Sequence, residues 1–194
     1  MKVLTFGEVM LRLKTPEHLK ILQADTFEAN YGGAEANVAV SLATLGDDVS
    51  YVTKVPEHQV GQAAVNEIRR FGVDTSRVLR GGGRVGIYYF EKGNNIRPTN
   101  VVYDRADSAI AMAKAEEFDW EKLLDGVDLF YFSGITPAIS TEIEKALENA
   151  LALCREKKIQ VVCDLNYRGK MVHEGRTARY APSDGVCGCL HCKR

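Results

Sequence analysis

Apolar and polar positions along this chain change period repeatedly, and the changes predict strands alternating with helices. Lys2–Gly7 reads as a buried strand, and Val9–Leu13 continues the extended pattern. Lys14–Phe27 is polar and irregular. Ala34–Leu45 places Val38, Leu42 and Leu45 at helical spacing, with Gly46 positioned to end the helix. Val49–Val55 is a strand by its β-branched and aromatic content. Val60–Phe71 is helical, with Val60, Ala64, Ile68 and Phe71 on one face, and Gly72 stops it. Gly86–Glu91 and Thr99–Asp104 read as two strands around the polar loop Lys92–Pro98. Ser108–Glu117 is rich in Ala and predicts a helix, and Leu129–Ser133 predicts a short buried strand. Thr141–Lys157 carries Ile143, Leu147, Leu151 and Cys154 on one face, and Thr141-x-x-Glu144 fits a capping box. Gln160–Leu165 is a Val-rich strand.

Strands alternating with helices need crossover connections, so the fold class is α/β with a mostly parallel sheet covered on both faces. The pair Gly86–Glu91 and Thr99–Asp104 interrupts the alternation. It adds to the edge of the main sheet or forms a small sheet of its own.

Composition narrows the functional classes. The 194 residues are 45% hydrophobic and 26% charged, with a net charge of −1. Such a chain buries a core without disulfides or metals. Its balance excludes a generally polybasic nucleic-acid binder. No apolar stretch approaches the roughly 18–20 residues of a membrane span, and the N-terminus reads as a strand with no leader, so a soluble cytoplasmic protein is expected. Cys154 and Cys163 lie in apolar segments, as buried thiols do. From His173 onward no period survives and Gly, Arg, Pro and Cys dominate. Cys187, Cys189, His191 and Cys192 are too crowded to close a tetrahedral zinc site, so 173–194 reads as an aberrant or disordered tail with no metal.

Four segments carry residue types suited to chemistry. In Tyr31-Gly32-Gly33-Ala34-Glu35-Ala36-Asn37, two glycines before a helix allow close backbone approach, and free N–H groups and Asn37 face an oxygen-rich ligand. Tyr88 flanks the interrupting hairpin with Tyr103 and Arg105, which share one strand face and suit a ligand bearing an anion. Asp164-Leu165-Asn166-Tyr167-Arg168 ends a buried strand, where open α/β sheets bind ligands. Ser133-Gly134-Ile135-Thr136-Pro137 ends another. Each also has a plain structural explanation: helix-entry turn, cross-strand aromatic contact, loop capping beside a solvated Arg168, and a turn.

Taken in order, these segments resemble the ribokinase-like (PfkB) carbohydrate kinases. Phe6-Gly7-Glu8, Gly32-Gly33-Ala34-Glu35-Ala36-Asn37-Val38-Ala39, Gly46, Gly61, Phe71-Gly72-Val73-Asp74-Thr75, Ser133–Pro137 and Asp164–Arg168 carry the likeness, from Met1 to about Val172. The resemblance implies a doubly wound α/β unit over 1–172, with a β lid built from strands near 9–13, 86–91 and 99–104. It implies ATP- and Mg2+-dependent phosphorylation of a small-molecule sugar acid of the 2-keto-3-deoxygluconate type. That substrate leaning rests on Glu8, Tyr88, Tyr103-Asp104-Arg105 and Asn166-Tyr167-Arg168. By the same likeness Gly33, Ala34, Asn37, Tyr88, Tyr103 and Arg105 bind the sugar, with Glu8 on its floor. Asn166 and Arg168 meet the nucleotide phosphates. A homodimer through the lid is also implied, for which a β edge bearing Tyr88, Tyr89 and Phe90 is a candidate. Kinases for fructose, ribose or a nucleoside, and a non-catalytic sugar-binding module, are the alternatives.

The sequence departs from the family in one respect. The C-terminal Gly-Ala-Gly-Asp turn that carries the catalytic base is absent, as are the adenine-binding elements that follow it. The expectation is a truncated or out-of-frame product whose native reading stops near Val172, with the C-terminal half missing. No catalytic residue is assigned to it, and the chain is expected to be inactive alone.

Overall fold

The computed structural model describes residues 1–166. Arg168 and the tail 173–194 therefore lie outside the described residues. The body of the fold is a four-stranded sheet in the order β10 (Gln160–Asp164), β9 (Leu129–Ser133), β1 (Lys2–Phe6), β4 (Asp48–Val52), with every pairing parallel. Alternation along β1 explains the layers. Leu4 and Phe6 point into a core shared with Phe118, Trp120, Phe130 and the helix α4 (Thr141–Lys157). Val3 points the other way, into a second core with Val49, Tyr51 and residues of α1 (Ala34–Thr44) and α2 (Gln59–Arg69). Helices thus cover both faces, as the alternating pattern requires.

The interrupting hairpin does not join the main sheet. Its strands β7 (Ile87–Glu91) and β8 (Asn100–Asp104) form a separate sheet with β2 (Met10–Lys14) and β3 (Glu28–Gly32), in the order β3-β2-β7-β8. The segment predicted to prolong the first strand is therefore β2, a lid strand antiparallel to β3 and parallel to β7. Two expectations change with it. β3 falls partly in a stretch read as helix-entry turn, and its pairing with β2 makes it a strand despite its polar composition. The strand bearing Tyr88, Tyr89 and Phe90 lies inside the lid sheet, whose edges are β3 and β8.

Other differences are local. Ser108–Glu117 is a series of turns followed by a 3-10 turn at Ala115–Glu117. Its alanines fit the tight core: Ala109, Ala113 and Ala115 are fully buried. Helix α4 is capped by Ser140, one residue before the expected Thr141, with its Oγ accepting the Ile143 N–H at 3.3 Å. On α1 the buried stripe is Ala36 and Ala39, and Leu45 is exposed. The outer Val60 and Phe71 of the second helix are likewise exposed, and Ala64, Val65 and Ile68 make its contact. The short β5 (Lys54–Val55) and β6 (Leu79–Arg80) form a parallel two-stranded sheet of their own, and α3 (Trp120–Leu123) precedes β9. Among the described residues no helix is long and apolar enough to cross a membrane.

Candidate functional site

A cleft of about 250 Å3 lies between the carboxyl ends of β1 and β9 and the lid. Three elements of the body reach it. Glu8 follows β1, Gly33, Ala34 and Asn37 begin α1, and Ile135 and Thr136 follow β9. Met10, Tyr88, Val101, Tyr103 and Arg105 come from the lid. The cleft thus collects all six residues expected to bind sugar: Gly33, Ala34, Asn37, Tyr88, Tyr103 and Arg105. Asn166 lies past β10 and does not line it.

Local chemistry explains each placement. Gly33 is extended, φ −171°, so its need for glycine is steric: a Cβ there would stand 2.0 Å from the Glu8 carbonyl oxygen. That close approach sets the first turn of α1 against the loop after β1. On the lid, Asn30, Arg12, Tyr88 and Tyr103 are register partners across four strands, so they share one face. The Tyr88 and Tyr103 rings lie 5.9 Å apart, and the Arg12 guanidinium sits 4.3 Å from the centre of the Phe90 ring. Burial raises the Tyr88 pKa above that of a free phenol, with Arg12 acting in the opposite sense.

Arg105 is not a bare cation. Its guanidinium pairs with Glu8, and Ser108 Oγ donates to the other Glu8 oxygen at 2.7 Å. The Glu8 carboxylate is 4% exposed and also fixes Gly86, where a Cβ would approach Glu8 Oε1 to 2.5 Å. At the end of β10, Asp164 Oδ1 accepts the Asn166 N–H at 3.0 Å, and Gly134 N–H bonds the Asp164 carbonyl at 2.8 Å. Asp164 thus orients the loop, and Asn166 takes a left-handed backbone, φ 39°.

Sequence reasoning missed Glu35. A glutamate in the first turn of a helix ordinarily reads as solvated and favourable to the helix dipole. Here it turns inward, is buried, and accepts from Ser133 N–H at 3.1 Å, from Ser133 Oγ, and from Thr136 Oγ1 at 2.6 Å. Burial raises its pKa, opposed by those hydrogen bonds. Among the described residues no group of three or more His, Cys, Asp or Glu side chains is placed to hold a metal ion.

A doubly wound sheet, a four-stranded lid and a polar cleft between them define a sugar-kinase type of architecture. The chain belongs to the pfkB family of carbohydrate kinases, whose model matches residues 1–179. It is 36% identical over 188 residues to the 2-dehydro-3-deoxygalactonokinase of Haloferax volcanii, a match covering 97% of this chain and 56% of that protein. The crystal structure of 2-dehydro-3-deoxygluconokinase from Thermotoga maritima superimposes with a TM-score of 0.86 at 55% identity, covering 88% of this chain and 52% of that one. A PfkB family carbohydrate kinase from Listeria grayi superimposes with a TM-score of 0.88 at 36% identity, covering 92% and 56%. The chain spans about half the length of the curated relatives it matches.

Proposed function

We propose that this chain provides the sugar-binding part of an ATP-dependent kinase acting on a hydroxyl of a 2-keto-3-deoxy sugar acid. The observation that carries the proposal is the convergence of Gly33, Ala34, Asn37, Tyr88, Tyr103 and Arg105 on one cleft. The α1 N-terminus offers N–H groups to sugar oxygens. Asn37 adds an amide, and Tyr88 and Tyr103 close over the ring from the lid. Arg105 faces the carboxylate. Residues 1–172 form the working unit of this reading, and 173–194 take no part in it. The outer lid strand β8, exposed along its length, is where a second copy would pair.

ATP supplies the phosphoryl group when bound. Asn166, at the carboxyl end of β10, and Arg168 are the residues that would meet its phosphates. The described residues offer magnesium no cage of their own.

A neutral sugar is the second reading, and one observation favours it. Arg105 is already neutralised by Glu8, so the cleft offers an incoming carboxylate less charge than an unpaired arginine would.

The same proposal makes these 194 residues inactive alone. A sugar hydroxyl needs a base within hydrogen-bond reach of its proton. The cleft's two carboxyl groups are engaged, Glu8 by Arg105 and Ser108, Glu35 by Ser133 and Thr136. Asp164 is held by the Asn166 N–H. A coupled assay with ATP and 2-keto-3-deoxygluconate is expected to show background turnover. Turnover at roughly 1–100 per second, lost on Asp164→Asn, would overturn this assignment of Asp164.

A further inference from the structure

Three elements that build the cleft meet at Glu35. Its side chain leaves the first turn of α1 and passes over Gly7 at the end of β1. A Cβ on Gly7 would stand 2.2 Å from the Glu35 carboxyl carbon, so the space that glycine leaves is filled by this group. Its Oε1 then takes both donors of Ser133, at the end of β9, and the hydroxyl of Thr136 in the turn beyond. Thr136 Oγ1 also reaches the Phe6 carbonyl, at 3.3 Å. The Ser133 hydroxyl in turn accepts the Ile135 N–H at 3.3 Å. One carboxyl oxygen therefore ties α1 to the 133–136 turn beside the end of β1, with no basic side chain acting on it.

A buried carboxyl without a cation is costly, and a core built only for stability would use an apolar side chain. The three donors converge where Ile135, Thr136, Gly33 and Ala34 line the cleft. We infer that Glu35 is a positioning residue for the proposed substrate site: it holds the 133–136 turn against the N-terminus of α1 and so sets the shape of the sugar floor. This inference rests on the sugar-binding reading for its ligand, though not for its geometry.

The test pairs two readouts on the full chain and on Glu35→Gln and Glu35→Ala. Amide hydrogen exchange at Ser133 reports the lock without any ligand. Titration with 2-keto-3-deoxygluconate reports the floor. Gln keeps the accepting oxygen, so Glu35→Gln should retain Ser133 protection and sugar affinity within about threefold. Glu35→Ala removes three hydrogen bonds, each worth roughly 2–12-fold. It should lose Ser133 protection and at least about tenfold in affinity. Should Glu35→Ala not fold, Ser133→Ala and Thr136→Val each remove one hydroxyl donor and should each weaken binding roughly 2–12-fold. Unchanged affinity in a folded Glu35→Ala, or in both donor variants, overturns the inference. If the wild-type chain binds no sugar, the functional reading falls, and the exchange comparison still decides the lock: full Ser133 protection in Glu35→Ala overturns it.

Discussion

Arg105, just past the last lid strand, and Glu8, just past the first body strand, form an ion pair that joins lid to body, with Glu8 buried and Arg105 partly so. Their side chains are 14% and 4% exposed. Ser108 completes the arrangement by donating to Glu8 Oε1. The pair couples the cation proposed to meet the substrate to the stability of the cleft, because neither charge is solvated well enough to stand alone.

Removing one partner strands the other. Arg105→Ala is expected to destabilise the fold by about 3–5 kcal/mol. Urea denaturation checks this. The double variant Glu8→Ala/Arg105→Ala should be destabilised by less than the two single losses combined. Strict additivity would show that the two side chains do not depend on each other.

Glycine positions separate backbone strain from site geometry. At Gly46 nothing lies within 4 Å of where a Cβ would stand, yet φ is +96°. Gly46→Ala should therefore cost about 1–2 kcal/mol and leave sugar affinity unchanged. At Gly33 the obstacle is the Glu8 carbonyl, 2.0 Å from the added carbon. Gly33→Ala should push the Glu8 loop away from α1 and abolish detectable sugar binding. Parallel denaturation and ligand titrations distinguish the two outcomes.

The pattern of residues marks most of the body and three of the four lid strands, β2, β7 and β8, and misses β3. In β1, β4, β9, α4 and β10 one face or both meet the core, so apolar periodicity reports them directly. Strand β3 is Glu-Ala-Asn-Tyr-Gly, and only its ladder to β2 makes it a strand. The Ala-rich 108–117 segment obeys tertiary demands over helix propensity. Ser108 spends its hydroxyl on Glu8, and Ala109 N–H bonds the Arg84 carbonyl at 2.8 Å. For the cleft, residue type makes Gly33, Asn37, Tyr88, Tyr103 and Arg105 candidates, and the family likeness is what assigns them to a sugar. Glu35 was not legible, because its donors are about a hundred residues away. The Glu8–Arg105 pair joins equally distant segments and was hidden for the same reason.

Glu35 also predicts a pH dependence. Its unfolded-chain pKa is near 4.5, and burial raises it in the folded protein. Above about 4.5 the unfolded chain gives up this proton first, so the native state binds more protons and stability falls as pH rises toward the folded value. Tyr51 and Tyr131 face the same group, but their own pKa values are raised, so they stay neutral across this window. The difference in urea midpoint between wild type and Glu35→Gln, followed from pH 4 upward, should move in favour of the glutamine variant. A difference independent of pH would show that Glu35 does not titrate in the folded state.

Direct titration shows whether these residues build the proposed binding site for a 2-keto-3-deoxy sugar acid. Ligand-observed NMR on the folded chain should detect 2-keto-3-deoxygluconate or 2-keto-3-deoxygalactonate at millimolar concentration or below. Fructose and ribose should bind more weakly, and Arg105→Lys should narrow that gap, because a point charge cannot match the planar fork of arginine on a carboxylate. No binding of either sugar acid to a chain shown to be folded, or tighter binding of fructose than of the acids, would rule such a site out.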